Sequence, residues 1–158
     1  MNQKNLSIWL KVTVVGLGVV VSVCFALITS YKRELSQQSP GFESLYNAWM
    51  IFIGMTYFPD LKVLHYFWKI ASNIGKNRSF CKQNASIMKM ISIIAAICSI
   101  YLFAGSIVFW IIGLNEPIIL LISIVIVLLG TAFSVAAAVL SHLILKAAEM
   151  KEENDLTI

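Results

Sequence analysis

Three long apolar segments dominate the pattern of hydrophobic and polar positions along the chain. Residues 12–30, 90–112 and 118–141 contain no Asp, Glu, Lys or Arg. A helix needs roughly 20 apolar residues to cross about 30 Å of hydrocarbon, and each segment is about that long. The apolar residues run continuously, whereas the strands of a membrane β-barrel alternate apolar and polar positions. The pattern therefore predicts three transmembrane helices.

A fourth segment, residues 45–66, is apolar with interruptions. It is uncharged as far as Phe58 and then continues through Pro59, Asp60 and Lys62. The pair Ser39-Pro40 is typical of a helix start, and Gly75 is a candidate C-cap. Because proline within a helix removes one hydrogen bond and bends the axis, we predict a long second transmembrane helix that is kinked at Pro59.

The first apolar segment has two interpretations. It resembles a signal peptide in following Lys4 and Lys11, but its apolar core exceeds the usual length of about 7–15 residues. No small-x-small cleavage site precedes Tyr31. We therefore interpret residues 12–30 as an uncleaved transmembrane helix.

The distribution of basic residues predicts the orientation, since cytoplasmic segments are enriched in Lys and Arg. With four spans, both termini and the loop of residues 67–89 share one side, which collects ten of the twelve basic residues when Lys62, just before the loop, is included. We therefore expect this loop, the N-terminus and a tail of residues 142–158 to be cytoplasmic.

Composition agrees with a membrane protein. Hydrophobic residues make up 59% of the 158 residues and charged residues 13%, against about 45–50% and 25% in soluble domains. The length suits one domain. The predicted fold is thus all-α, a single membrane domain over residues 1–158 that forms a bundle of four transmembrane helices.

The net charge of +4 follows from the orientation, and no basic-aromatic stripe predicts direct nucleic-acid binding.

Small residues in the fourth segment predict close helix packing. Gly130, Ser134 and Ala138 recur every four residues, and small residues at this spacing let another helix approach closely within lipid. Two interpretations are open: the face packs against another helix of the same chain, or it joins two copies in a homo-oligomer.

A few polar residues in or beside the second segment are candidates for function. Asp60, Lys62 and His65 form a candidate intramembrane polar site, because ionisable residues within membranes are often functional. The alternative is that the hydrocarbon ends near residues 60–64 and Lys62 reaches the interface. His65 and His142 could join Asp60 in a metal or proton site, but their spacing does not require one. Since no catalytic or cofactor-binding motif is present, we predict no enzyme activity, no cofactor and no metal.

The charged tail is the other candidate region. We expect the fourth helix to continue into it, where acids near a helix C-terminus are disfavoured by the helix dipole unless a positive partner is close. One hypothesis is that the tail docks on the basic loop or on a partner protein. The alternative is a solvated tail. The candidate interaction surface comprises Lys76, Arg78, Lys82, Lys89, Glu149, Glu152, Glu153 and Asp155.

The chain also resembles a known family. The C-terminal residues AEMKEENDLTI, the proline of the second segment and the loop NIGKNRSF (residues 73–80) are similar to those of small bacterial membrane proteins grouped as domain of unknown function 2975. That family usually has Ser or Thr after the loop phenylalanine, where this chain has Cys81. The resemblance implies four membrane spans in the bacterial inner membrane, no assigned activity, and a gene often found beside a small helix-turn-helix regulator.

Two functions are compatible with these features. The first is a non-enzymatic membrane partner of a cytoplasmic transcription regulator, with a role in sensing, stress response or immunity. The second is a small oligomeric transporter or channel, which would need polar residues along an internal path. Three of the four segments lack ionisable groups and no inverted repeat is evident, so only Asp60, Lys62 and His65 could line such a path.

Overall fold

The computed structural model describes residues 3–35, 42–113 and 117–156. They form four α-helices: α1 (Gln3–Leu35), α2 (Phe42–Gly75), α3 (Lys82–Ile111) and α4 (Pro117–Leu156). The described residues contain no strand. The all-helical fold is thereby confirmed, and α4 continues into the charged tail as expected. The predicted helix start at Ser39-Pro40 lies outside the described residues.

Helices α1 and α2 form an antiparallel pair. Near one end, Ser7 donates a 2.6 Å hydrogen bond from Oγ to the carbonyl oxygen of Ala71. A Cβ at Gly75 would lie only 2.7 Å from Ser7 Oγ, so the absence of a side chain there allows the helices to touch. Further along, the rings of Phe25 and Tyr57 stack with centroids 4.7 Å apart.

Helix α2 is continuous for 34 residues and passes through Pro59. Proline has no amide hydrogen to donate to the preceding turn, and a bend of the axis at this point remains a prediction. The helix ends at Gly75 as expected, but the left-handed residue of its cap is Asn77, with φ of 59°. Amide hydrogens of Asn77 and Arg78 bond back to the carbonyls of Ile74 and Asn73, which is a Schellman cap. Asparagine tolerates this conformation better than most residues.

Helices α3 and α4 form a second antiparallel pair, held by small residues at heptad spacing. Ser92 Oγ lies 3.4 Å from Ser134 Oγ, and Ser134 donates to the Ser92 carbonyl at 2.9 Å. One heptad further, Ser141 donates to the carbonyl of Ala85 at 2.7 Å. The buried small residues of this interface are Ala85, Ser92, Ser99 and Ser106 on α3 and Ser134, Ala137, Ser141 and Ala148 on α4.

The predicted small-residue face is therefore shifted at one position. Gly130 and Ser134 face α3, where a Cβ on Gly130 would lie 2.5 Å from Ser99 Oγ. Ala138 is exposed and Ala137 is buried instead. A strict spacing of four residues turns steadily around a helix of 3.6 residues per turn, whereas alternating steps of three and four keep a face aligned with a partner helix.

The helices are arranged in series. By backbone proximity, the described parts of α1 pack on α2, α2 on α3, and α3 on α4, with no comparable packing of α1 on α3 or α4. A few α2 side chains extend the contact to α4, such as Phe67, whose ring centroid lies 6.4 Å from that of Phe133. The predicted bundle is thus two hairpins joined through α2 and α3. The α1 residues in close contact with α2 include Ser7, Gly18 and Phe25.

Burial differs from that of a soluble protein, although a small apolar cluster around Ile91 is buried. The buried polar residues are serines and one asparagine, while large apolar side chains such as Leu27, Ile97, Ile111 and Leu129 are more than 59% exposed. Three stretches are long and apolar enough to cross a membrane: Gln3–Leu27, Lys82–Ile111 and Pro117–Asn154. Among the described residues, α2 does not meet the same criterion of length and composition, because Asp60 and Lys62 interrupt it.

Candidate functional site: the loop–tail surface and Asp60

One end of the molecule carries most of the charged residues. Helix α2 ends there and α3 begins there, joined by residues 76–81, and α4 extends past both to Leu156. From Ser141 to Leu156, α4 rises by roughly 22 Å beyond the predicted membrane segment, at about 1.5 Å per residue. The opposite end has much shorter extensions, since α3 ends at Ile111 and α4 begins at Pro117.

Asn84 holds the turn between α2 and α3 in place. Its side chain is only 1% exposed. Its Oδ1 accepts a 2.7 Å hydrogen bond from Asn73 Nδ2, and its Nδ2 donates to the carbonyls of Arg78 and Ser79 at 3.1 and 2.9 Å. The amide oxygen and the amide nitrogen of this buried side chain both have hydrogen-bond partners. Because these partners lie on α2 and in the turn, Asn84 of α3 links the three parts.

Cys81 is the N-cap residue of α3. Its backbone is extended, with φ of −138° and ψ of 150°, and its side chain makes no capping hydrogen bond. Serine or threonine at this position would accept a hydrogen bond from the first helical turn. With Cys81 at this position, α3 begins without a side-chain cap.

A cavity of about 500 Å³ lies where this turn meets the end of α4. Its rim includes Phe80, a large apolar side chain that is 59% exposed. Its lining contains both basic and acidic side chains. Arg78 of the turn and Lys82 at the start of α3 are basic, and α4 contributes Lys151 and Glu152. The lining residues are Arg78, Phe80, Cys81, Lys82, Gln83, Ala148, Lys151 and Glu152. We call these residues the loop–tail surface.

Part of the predicted interaction surface comes together here. Lys82 Nζ lies 2.6 Å from Glu152 Oε2, and both side chains are well exposed. An exposed ion pair of this kind stabilises a fold by about 0.2–1 kcal/mol at most. It therefore orients the end of α4 beside the turn but contributes little to the stability of the fold.

The remaining members of the predicted set are more dispersed. Arg78 lines the cavity, while Lys76, Lys89 and Glu149 are exposed away from its lining. Glu153 lies on the exposed end of α4. Asp155 belongs to α4, but its side chain lies outside the described residues.

The pairing of α1 with α2 fixes the depth of Asp60. Lys11 Nζ sits 5.2 Å from the centre of the Trp68 ring, and Ser22 Oγ lies 3.4 Å from Tyr57 Oη. Between these contacts, Asp60 lines a groove together with Val20 and Val21, at the middle of the predicted first span. Asp60 is eight residues, or about 12 Å, along α2 from Trp68. The register therefore favours an intramembrane position over one at the boundary.

The other ionisable residues of this region do not join Asp60. Successive residues of a helix are about 100° apart, so Lys62 and His65 leave α2 in other directions, and both are exposed. Within the described ranges no ion pair links Asp60 to Lys62. Nor does that part of the chain hold a group of three or more His, Cys, Asp or Glu side chains able to bind a metal ion.

Comparison with known proteins assigns the chain to a family. The family model described as protein of unknown function DUF2975 matches residues 29–158. The chain belongs to the DUF2975 family. It is also 29% identical to the uncharacterized membrane protein YoaS of Bacillus subtilis (strain 168), over an alignment that covers all of both chains. No solved structure was found to match this DUF2975 protein.

Sequence reasoning missed the residues that organise the loop–tail surface. Asn84 was not expected to be buried. The usable indication was that Asn73 and Asn84 lie eleven residues apart on either side of a predicted turn, where their side-chain amides can form a hydrogen bond. Phe80 was known only as part of a motif. The pairing of the heptad serines of α3 with α4 was not predicted.

Proposed function

We propose that this DUF2975 protein is a non-enzymatic, multi-pass protein of the bacterial inner membrane that binds a cytoplasmic transcription regulator through the loop–tail surface. The proposal places all four helices across the membrane and both termini in the cytoplasm. The family resemblance supplies the candidate partner, a small helix-turn-helix regulator encoded nearby.

The observation that carries this proposal is a rigid, exposed and mixed-charge cavity at the end of the molecule with the basic residues. Its turn is held by a buried amide and a Schellman cap, so little conformational entropy is lost when a partner binds. The exposed ring of Phe80 is suited to act as an apolar anchor. Arg78 and Lys151 on the rim would steer an acidic partner surface.

The proposed orientation can be checked separately. A green fluorescent protein fused after Ile158 should fluoresce in intact cells, and alkaline phosphatase fused at the same place should be inactive. The same pair of reporters placed in residues 36–41 should give the reverse result. Active phosphatase at the C-terminus would contradict the cytoplasmic location of the loop–tail surface.

Binding is tested by co-purification of the full-length, detergent-solubilised protein with the regulator encoded by the neighbouring gene. We expect Phe80→Ala and Arg78→Gln each to reduce the captured regulator at least fivefold, since each removes an anchor or a charge from the cavity. Lys4→Gln removes one basic charge from the N-terminal turn of α1 and is the matched control, with unchanged capture.

The ion pair of the surface supports a second, more specific test. Lys82→Glu and Glu152→Lys should each lower regulator capture, and the double variant should recover it if docking depends on the alignment of the tail. Unimpaired capture by the single variants, or by a chain that ends at residue 148, would contradict the proposal.

A small oligomeric transporter or channel is the second candidate function, and the depth of Asp60 favours it. An acidic group at the middle of a span is costly unless it serves transport, proton transfer or partner binding. Flux measurements in proteoliposomes would distinguish the two functions, because Asp60→Asn should abolish transport and leave regulator capture unchanged.

A further inference from the structure

The groove between α1 and α2 has the chemistry of a ligand site. It encloses about 210 Å³ and is lined by Val20, Val21, Cys24, Phe25, Ile53, Thr56, Tyr57 and Asp60. Apart from Asp60, the lining is apolar, aromatic or uncharged. The groove is thus an apolar surface with one carboxylate, lined by residues of α1 and α2.

The carboxylate needs a positive partner that the described residues do not supply. At the depth set by the Lys11–Trp68 and Ser22–Tyr57 contacts, an unpaired carboxylate would face hydrocarbon. Such a charge is costly unless paired. Lys11, the basic residue of α1 nearest along the helix, is engaged over the Trp68 ring.

The aromatic pair beside Asp60 suits a cation. Phe25 and Tyr57 stack with centroids 4.7 Å apart and interplanar angle 24°, and both line the groove. Aromatic faces attract ammonium groups within about 6 Å through their quadrupoles. Val20, Val21 and Ile53 offer apolar contact for the remainder of such a ligand.

From these features we propose that the α1–α2 groove binds a small lipophilic ammonium cation, which enters from the bilayer and pairs with Asp60 beside the stacked Phe25 and Tyr57 rings. The volume suits an ammonium group with one ring or a short chain. The site is independent of the proposed regulator binding, since it lies on the other hairpin and within the membrane.

The test uses the full-length protein in a non-ionic detergent and radiolabelled benzyltrimethylammonium as the probe. We expect saturable binding that weakens as the pH falls, because protons compete for the carboxylate. Neopentylbenzene has the same shape with carbon in place of the charged nitrogen, and an excess of it should not displace the probe. Equal displacement by this neutral analogue, or no saturable binding, would overturn the proposal without any variant.

Variants locate the bound probe. Asp60→Asn should weaken binding at least tenfold, whereas Asp60→Glu should retain part of it. Glu149→Gln is the matched control, an acid-to-amide change on the exposed end of α4, and should leave binding unchanged. Phe25→Leu should weaken binding severalfold and Phe103→Leu, on the exposed face of α3, should not. Equal affinity of the Asp60→Asn protein and the unmodified protein would overturn the proposal.

Discussion

The two hairpins of this protein are built by different means. Helices α3 and α4 meet through serines and alanines repeated every seven residues, with serine hydroxyls donating to backbone carbonyls of the opposite helix. Helices α1 and α2 touch closely near Ser7 and Gly75, and elsewhere are separated by aromatic rings and a groove. Small residues give close backbone contact in lipid, while bulky ones leave space. The first arrangement suits a rigid support and the second a binding site.

The largest effect is expected in the tight hairpin. Ala137→Leu adds three carbon atoms at a position that is 3% exposed and packed against the Ile87, Met88 and Ile91 cluster. Overpacking of this kind costs typically about 1–3 kcal/mol, and the unfolding temperature in detergent should fall clearly. Ala138→Leu is the matched control, one residue along and exposed, and should leave the unfolding temperature almost unchanged. Equal effects of the two substitutions would contradict the heptad interface.

A similar but smaller effect is expected where the two hairpins join. Asn84→Ala removes the side-chain donor to two backbone carbonyls and leaves the Asn73 amide with only its 3.3 Å bond to Gln83, and losing the partner of a buried polar group costs about 1–3 kcal/mol. Protease cleavage within residues 76–81 should also become faster. Gln83→Ala is the control, since its side chain is exposed and its bond with Asn73 is 3.3 Å long. Unchanged cleavage in the Asn84→Ala protein would show that the turn is held by its backbone cap alone.

The smallest effect is expected in the open hairpin. Gly75→Ala places a Cβ 2.7 Å from Ser7 Oγ, and the strain should outweigh the gain in helix propensity of about 1 kcal/mol. Gly16→Ala is the matched control because nothing lies within 4 Å of its added Cβ. We expect a slightly lower unfolding temperature for the first variant and an equal or higher one for the second. The reverse order would contradict the close approach of α1 and α2.

The sequence was sufficient for the four helices and for two of their ends. The predicted spans 90–112 and 118–141 meet the end of α3 and the start of α4 within one residue, because Pro117 marks that boundary, whereas α3 begins eight residues before its span and α4 ends fifteen residues after its span. The partner and register of each helix were not predictable, since a row of serines on one helix does not show which residues of another helix it contacts. The proposed depth of Asp60 rests on the contacts of α1 with α2, which the sequence does not give. Likewise, α2 ends at Gly75 as expected, but Asn77 takes the left-handed position of the cap, and Gly75 lies against Ser7.

The serial arrangement of the helices has a consequence for how the protein is made. Helix α2 packs mainly against α1, and α4 packs mainly against α3, in each case the helix synthesised just before it. Helix α3 makes its smaller contact with α2 first and its main contact with the next helix, α4. Assembly can then follow the order of synthesis, with contacts that are local in the chain and therefore quick to form. No helix has to wait in the lipid for a distant segment to arrive.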